Sequence, residues 1–482
     1  MAIEKIMGTE TELGIMARDP SGFDPVGSSI FLINSHPLVQ AVKALWDYTG
    51  ENPLLDARGF EVSGEHERPS QQDNRAINKV LPNGGRLYVD GAHPEYSTPE
   101  CSNAREVVIY EKAGERILDL CREAANRLLP PHQQLILYKN NTDGKGNSYG
   151  HHENYLVERR VPFDQIVEGL TPFLVTRQIF AGSGKVGSEN GTGPVEYQIS
   201  QRADFFETWI GLDTMAKRPI INTRDEPHAD EEKYRRLHVI VGDSNMSEVA
   251  TFLKVGTTAI VLSMVEDGFI RKDLQLEDPV RAIKEISHDI TLKRRVRLKR
   301  GKEYTAVEIQ REYLELAWEY YQGQELSPQV KELLERWQGV LDRLEEEPFS
   351  LSREVDWVIK RELIASYCQK RGISFDDQRV FMLDLQYHDI KRTRGLYYLL
   401  ARQGLVDRIT TDEAIEEAMT IPPQTTRAKI RSDFIKFAHE KNKSYDVGWS
   451  YLKLNDRYQR TILCKDPFKP YDPRVEELIN SY

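Results

Sequence analysis

The chain has 482 residues, 39% hydrophobic and 29% charged, a balance that fits a folded protein with one large domain and a smaller one. A formal net charge of -11 excludes broad nonspecific nucleic-acid binding, which draws its affinity from neutralised phosphates. No apolar run reads as a membrane span, so neither nucleic acid nor membrane is expected as a partner.

The N-terminal MAIEKIMGTETELGI has no basic start, apolar stretch or small-residue cleavage site, so a cytoplasmic location is expected. Cys101, Cys121, Cys368 and Cys464 show neither paired zinc spacing nor a disulfide framework and read as buried free thiols. From residue 1 to about 290, short β-like runs (LILYKNN, PVEYQISQ, RLHVIVGDSN, TAIVLSM) broken by glycine, proline and asparagine predict a mostly antiparallel sheet with helices on one side, an α+β arrangement. The basic run 292–300 reads as an edge strand or hairpin leading to Gly301. Between about 303 and 402 the apolar spacing becomes helical, with Ser327 as N-cap before Pro328. Residues 1–407 are expected as the large catalytic domain. From 408 a small C-terminal domain is expected, with capping-box spacing at Thr410 and Glu413 and a strand in WSYLKL.

Three segments place polar groups on strand faces. In MGTETELG, period two puts Glu10 and Glu12 side by side, and such a like-charge pair wants a hard cation such as magnesium. In RLYVDGAHPEYSTPE, Arg86, Tyr88 and Asp90 share one face and Leu87 and Val89 the other, with His93 and Glu95 close by. A glycine-broken loop leads to His152 and Asn154 on a common face. The INTRDEPHAD segment, with Arg224, and the following YRRLHVIVGDSN supply arginines suited to phosphoryl groups. GSGKVG fails as a phosphate loop, because Val186 stands where serine or threonine should follow the lysine, and it reads as a flexible glycine loop.

Taken together, GTETELG, RLYVDGAHPEYSTPEC, KNNTDGKGNSYGHHENYL, INTRDEPHAD, YRRLHVIVGDSNMSE and LCKDPF resemble the Pup-modifying enzymes, the Pup ligase (PafA) and the Pup deamidase/depupylase (Dop), over nearly the whole chain. The resemblance implies a glutamine-synthetase-like fold: a curved antiparallel sheet cradling ATP and Mg2+, with a small C-terminal domain. It also implies Glu10, Tyr88 and Glu95 at the metal, which Glu12 joins from its pairing with Glu10; Arg86, Thr98 and Trp449 at ATP, which Arg224 joins from its own segment; Asp90 as catalytic base or direct participant; and Pup and pupylated proteins as partners.

The two branches of the family leave different marks. The short Asp90-Gly91-Ala92-His93 spacing, and Trp46-Asp47-Tyr48 with Leu55-Asp56-Ala57-Arg58-Gly59-Phe60 in an insertion at about 40–80, resemble the depupylase. Residues 242–248 and the C-terminal LKLND and LCKDPF resemble the ligase. Weighting the catalytic strand over the C-terminus, the expectation is an isopeptide-cleaving depupylase that also deamidates Pup. Pup ligation through an acyl phosphate is the alternative or additional activity.

Overall fold

A computed structural model describes residues 2–37, 44–63 and 68–482, so 40–43 and 64–67 of the expected insertion lie outside the described residues. The strands that organise the molecule are, in chain order, β1 (Met7–Glu12), β2 (Ala44–Trp46), β3 (Asn78–Val80), β4 (Arg86–Asp90), β5 (His93–Ser97), β6 (His151–Glu158), β7 (Tyr234–Val239), β8 (Tyr445–Val447), β9 (Tyr451–Leu454) and β10 (Thr461–Leu463). The helices used below are α1 (Ala104–Leu128), α2 (Glu248–Glu266), α3 (Ala306–Tyr320), α4 (Pro328–Glu346), α5 (Leu396–Arg402), α6 (Asp412–Ala418) and α7 (Ala428–Glu440).

The main sheet has the order β7-β6-β1-β5-β4-β3, with every pair antiparallel. Burial alternates strictly along β1, so Met7, Thr9 and Thr11 turn toward the helices while Gly8, Glu10 and Glu12 turn the other way. Helix α1 lies so close to the covered face that a Cβ on Gly114 would stand 2.2 Å from the Tyr96 ring. The molecule is α+β, as expected, but TAIVLSM, read as a β-like run, lies within helix α2, whose all-round apolar surface is buried in the core.

The 1–290 region holds long helices as well as strands. Helix α1 starts where the Asn103 side chain accepts from Glu106 N–H at 3.0 Å. Helix α2 corrects the reading that no span-length apolar run exists: it is long and apolar enough to cross a membrane, with a mean hydropathy of 1.5, but 94% of that stretch is buried. Its apolar surface serves the protein core, where it packs against α1, α3 and α4.

Ser327 caps α4 as expected, and the 292–300 run forms a hairpin in which Arg295–Arg297 pair with Glu303–Thr305. Two local expectations shift. Thr411, not Thr410, caps α6, because Thr410 donates its hydroxyl to Glu248 at 2.9 Å. The GSGKVG segment is buried, its Lys185 held by Asp204 at 3.2 Å and Glu189 at 3.1 Å, so polar anchoring replaces the expected flexibility.

A second core gathers α7, β8, β9 and β10 with Trp46 and Val80. Strand β2, from the N-terminal part of the chain, pairs in parallel with β8 as the edge strand of this smaller sheet. Ile415, Ala418 and Met419 instead join the main core.

Candidate active site

The pairing register gathers the chemistry on one face of the main sheet. Glu12 lies opposite Glu95, which lies opposite Tyr88; Glu10 lies between His152 and Ser97; Gly8 faces Asn154, which faces His238. Arg86, Tyr88 and Asp90 of β4 point the same way, as period two requires. Asp90 pairs with His93 across a two-residue turn in which Gly91 takes the left-handed φ of 54°. One face thus presents Glu10, Glu12, Asp90 and Glu95 together.

Four carboxylates at such spacing cannot all ionise freely. Glu95 is 2% exposed, and burial, then Asp90 and Glu12, push its acid well above the usual glutamate range. Asp90 stands at the open rim, where lost solvation and then Glu12 raise its acid. Burial would likewise raise Glu10, but the His152 hydrogen bond and the Arg236 charge outweigh it and hold it at about 2. Burial also opposes ionisation of Glu12, whose acid is nevertheless lowered by the His93 hydrogen bond at 3.0 Å, the His152 charge and Gly150 N–H at 2.6 Å. The donor set fits a hard divalent cation: Glu10, Glu12 and Glu95 offer hard oxygen ligands, and an added positive charge would offset the burial and neighbouring carboxylates that raise the Glu95 acid. Glu10, His152 and His238 also bring ligand atoms within 4.8 Å of one another.

Beside Glu10 opens a cleft lined by Gly8, Thr98, Asn154, Arg236, His228 and Trp449. Pro227, Pro467 and the Trp449 ring give it flat apolar walls, and Arg236 and Arg427 give it cations, a combination that suits a heterocycle carrying phosphates. Trp449 is set there by Glu100, just past the end of β5. Glu100 accepts from Arg427 at 2.7 Å and Arg431 at 2.9 Å, and Arg431 donates to the Trp449 carbonyl at 2.9 Å and stacks 4.9 Å from its ring.

The expected residues therefore fall into groups. Glu10, Glu12, Tyr88, Asp90, Glu95 and Arg86 share the sheet face, and Thr98 and Trp449 line the cleft beside Glu10. Arg86 lies away from the cleft wall in a cage: its guanidinium carbon is 4.1 Å from the Trp46 ring and 4.1 Å from the Tyr88 ring. It also donates to Tyr48 Oη at 3.1 Å and to Asn78 Oδ1 at 2.9 Å. Arg224 sits off the sheet, 3.7 Å from Glu226, with its Nε buried and without a hydrogen-bond partner. The insertion docks beside it: Ala57 N–H donates to Thr223 O at 2.7 Å, Asp225 N–H to Leu55 O at 2.9 Å, and Thr223 Oγ1 to Asp56 at 2.6 Å.

Sequence reasoning missed the roles of Tyr48, Trp46 and Asn78 as the cage of Arg86, and of Glu100 as the anchor of Trp449. The WDY triplet was visible, but its target is a strand pairing across the fold. Two arginines in TTRAKIR and WSY after a long gap carry no local signal for Glu100.

A family profile described as Pup-ligase protein matches residues 5–453. Among curated proteins, the chain is 51% identical over 413 residues to the Pup–protein ligase of Kineococcus radiotolerans, covering 84% of this chain and 91% of that protein. It is 49% identical over 491 residues to the depupylase of Acidothermus cellulolyticus, covering 99% of this chain and 97% of that protein. Among solved structures it is similar to the complex of the prokaryotic ubiquitin-like protein Pup with its ligase PafA, with a TM-score of 0.85 and 36% identity over 99% of this chain and 91% of that one. It is also similar to PafA in complex with ADP, with a TM-score of 0.79 and 38% identity over 88% of this chain and 96% of that one.

Proposed function

The chain belongs to the Pup-ligase protein family, and on that premise we propose that it is an ATP- and Mg2+-dependent Pup–protein ligase, joining the C-terminal glutamate side chain of Pup to a lysine of a target protein. The observation that carries this reading is the single sheet face on which Asp90 stands at the open rim beside the Glu10, Glu12 and Glu95 cluster, with the Trp449 cleft adjoining it. The ligase relative at 51% identity and the two Pup-ligase structures support it.

In this mechanism the nucleotide would lie in the cleft against Trp449, Thr98 and the cations Arg236 and Arg427, and Arg86 and Arg224, which stand outside the cleft wall, would meet the end of its phosphate chain. Glu10, Glu12 and Glu95, with Tyr88, would hold Mg2+, which would supply charge neutralisation at the phosphates. The Pup carboxylate attacks the γ-phosphorus, ADP leaves, and an acyl phosphate forms. The lysine amine attacks the acyl carbon, Asp90 takes the amine proton, and phosphate departs as the isopeptide bond closes. A raised pKa suits Asp90 to this task, since a carboxylate that binds its proton more tightly is the stronger base.

A second reading, depupylation with Pup deamidation, is favoured by the insertion. Its Leu55–Arg58 part docks against residues 223–225 at the site, and the depupylase relative aligns over 99% of this chain. The two readings use the same bond in opposite directions. The deciding experiment pairs two assays with ATP and Mg2+, one offering Pup ending in glutamate with an unmodified target, the other a pupylated protein. Conjugation is expected; cleavage without conjugation overturns the ligase reading and establishes the second.

A further inference from the structure

On the helical side of the molecule, away from the carboxylate face, a cavity of about 170 Å³ opens between α1, α5 and α6. Five cations line it, Lys112, Arg116, Arg392, Arg402 and Arg408, with the carboxylates Glu248 and Asp412 in the lining and Glu115 and Glu416 beside it, paired with Lys112 and Arg116. We propose that this cavity is a binding site for an oligophosphate anion, separate from the nucleotide cleft.

The charge balance within the cavity carries the argument. Asp412 alone is shared by three guanidinium groups, Arg116 at 2.6 Å, Arg408 at 2.9 Å and Arg392 at 3.1 Å. Glu248 already accepts from Arg408 at 2.9 Å, from Ile409 N–H and Thr410 N–H at 2.8 Å each, and from the Thr410 hydroxyl. Glu416 reaches Arg116 at 3.1 Å only from the exposed rim. Arg402, in the last turn of α5, has no ion pair among the described residues. One carboxylate neutralises one guanidinium, so the cluster retains positive charge at close range, where like charges repel. An anion with several oxygens on neighbouring phosphorus atoms satisfies such a set better than a single carboxylate, because each guanidinium fork takes two oxygens.

The floor of the cavity is fixed in advance. Tyr397 and Tyr398 lie 5.1 and 5.4 Å from Lys112 Nζ, and the Tyr398 hydroxyl donates to Glu115. Glu115 also accepts from Lys112 at 3.0 Å and Lys139 at 2.8 Å, while Lys139 bonds Glu111, which accepts from Thr9 of β1 at 3.1 Å. This buried network holds the wall rigid, so an anion binds without the cost of ordering it. It also joins the floor to the strand that carries Glu10.

The test titrates sodium tripolyphosphate by calorimetry into the full-length protein saturated with ADP and Mg2+, with Mg2+ matched in cell and syringe. One-to-one binding is expected, weakened at least fivefold in Arg402→Ala and further in Arg402→Ala/Arg392→Ala, recovered in part by Arg402→Lys, and weakened by added salt. ADP affinity and melting temperature should stay near wild type in these variants. A parallel titration with GTP separates the sources: tighter binding than tripolyphosphate identifies a nucleotide, equal binding an inorganic chain. Absence of saturable binding, or binding unchanged in the double variant, overturns the site.

Discussion

At the residue scale the crowding of carboxylates makes two demands that can be measured. Asp90 acts as a base only when ionised, so kcat/KM should fall as pH drops through its raised pKa, with the acid limb above the ordinary aspartate value of about 3.9. Asp90→Asn should lower turnover by roughly 10²–10⁴-fold while ADP affinity changes less than about threefold, read by conjugation assays and calorimetry on the same preparation. Turnover near wild type in this variant would remove Asp90 from the chemistry. Glu95 makes the second demand. Because its neighbours raise its acid, cation binding should expel its proton in the pH range where it is still protonated. Calorimetric Mg2+ titrations at a series of pH values, in buffers of different ionisation enthalpy, should therefore give buffer-dependent heats over part of that series, and heats independent of buffer throughout would count against Glu95 as a ligand.

At the element scale the insertion acts as a wedge between the two sheets. Strand β2 closes the small sheet, and Trp46 and Tyr48 hold Arg86 over β4. Tyr48→Phe removes one hydrogen bond to the guanidinium and leaves the ring contact at 5.5 Å. A bond of this kind contributes about 1 kcal/mol, so ADP affinity is expected to drop on the order of fivefold with the fold unchanged. Equal affinities would show that the cage does not aim Arg86 at nucleotide. Much of the carboxylate face was legible in the sequence, because period two acts locally and RLYVD and TETE each declare their own faces. The long helices of the first half were not: in α2 nearly every side is apolar, so helical and strand-like runs look alike until the core around them exists. The cage was equally hidden, since Tyr48 meets Arg86 only through strand pairing across the fold. The capping at Thr411 shows the same limit, since a tertiary partner, Glu248, claimed Thr410.

At the scale of the whole molecule, Glu100 is the bolt between the parts. Arg431 and Arg427 hold its acid at about 2 against the opposing effect of burial. A carboxyl lowered in the folded state stabilises above its unfolded pKa, near 4.5, and that contribution is lost as pH falls through about 2. Glu100→Gln should therefore cost about 3 kcal/mol at pH 7, with the gap to wild type closing toward pH 2, as followed by melting temperatures across that range. A pH-independent difference would show that the bolt works through packing rather than charge.

The pairing of β2 with β8 also carries a temporal consequence. Tyr445 follows Ala44 by about 400 residues, so at roughly 5–20 residues per second the edge strand waits on the order of half a minute for its partner. Until then Trp46 has no small sheet to join and Trp449 does not exist, so a nascent or prematurely terminated chain presents its carboxylates without the aromatic wall beside them. The cleft beside Glu10 is thus walled on its aromatic side only after the segment carrying Trp449 has been made.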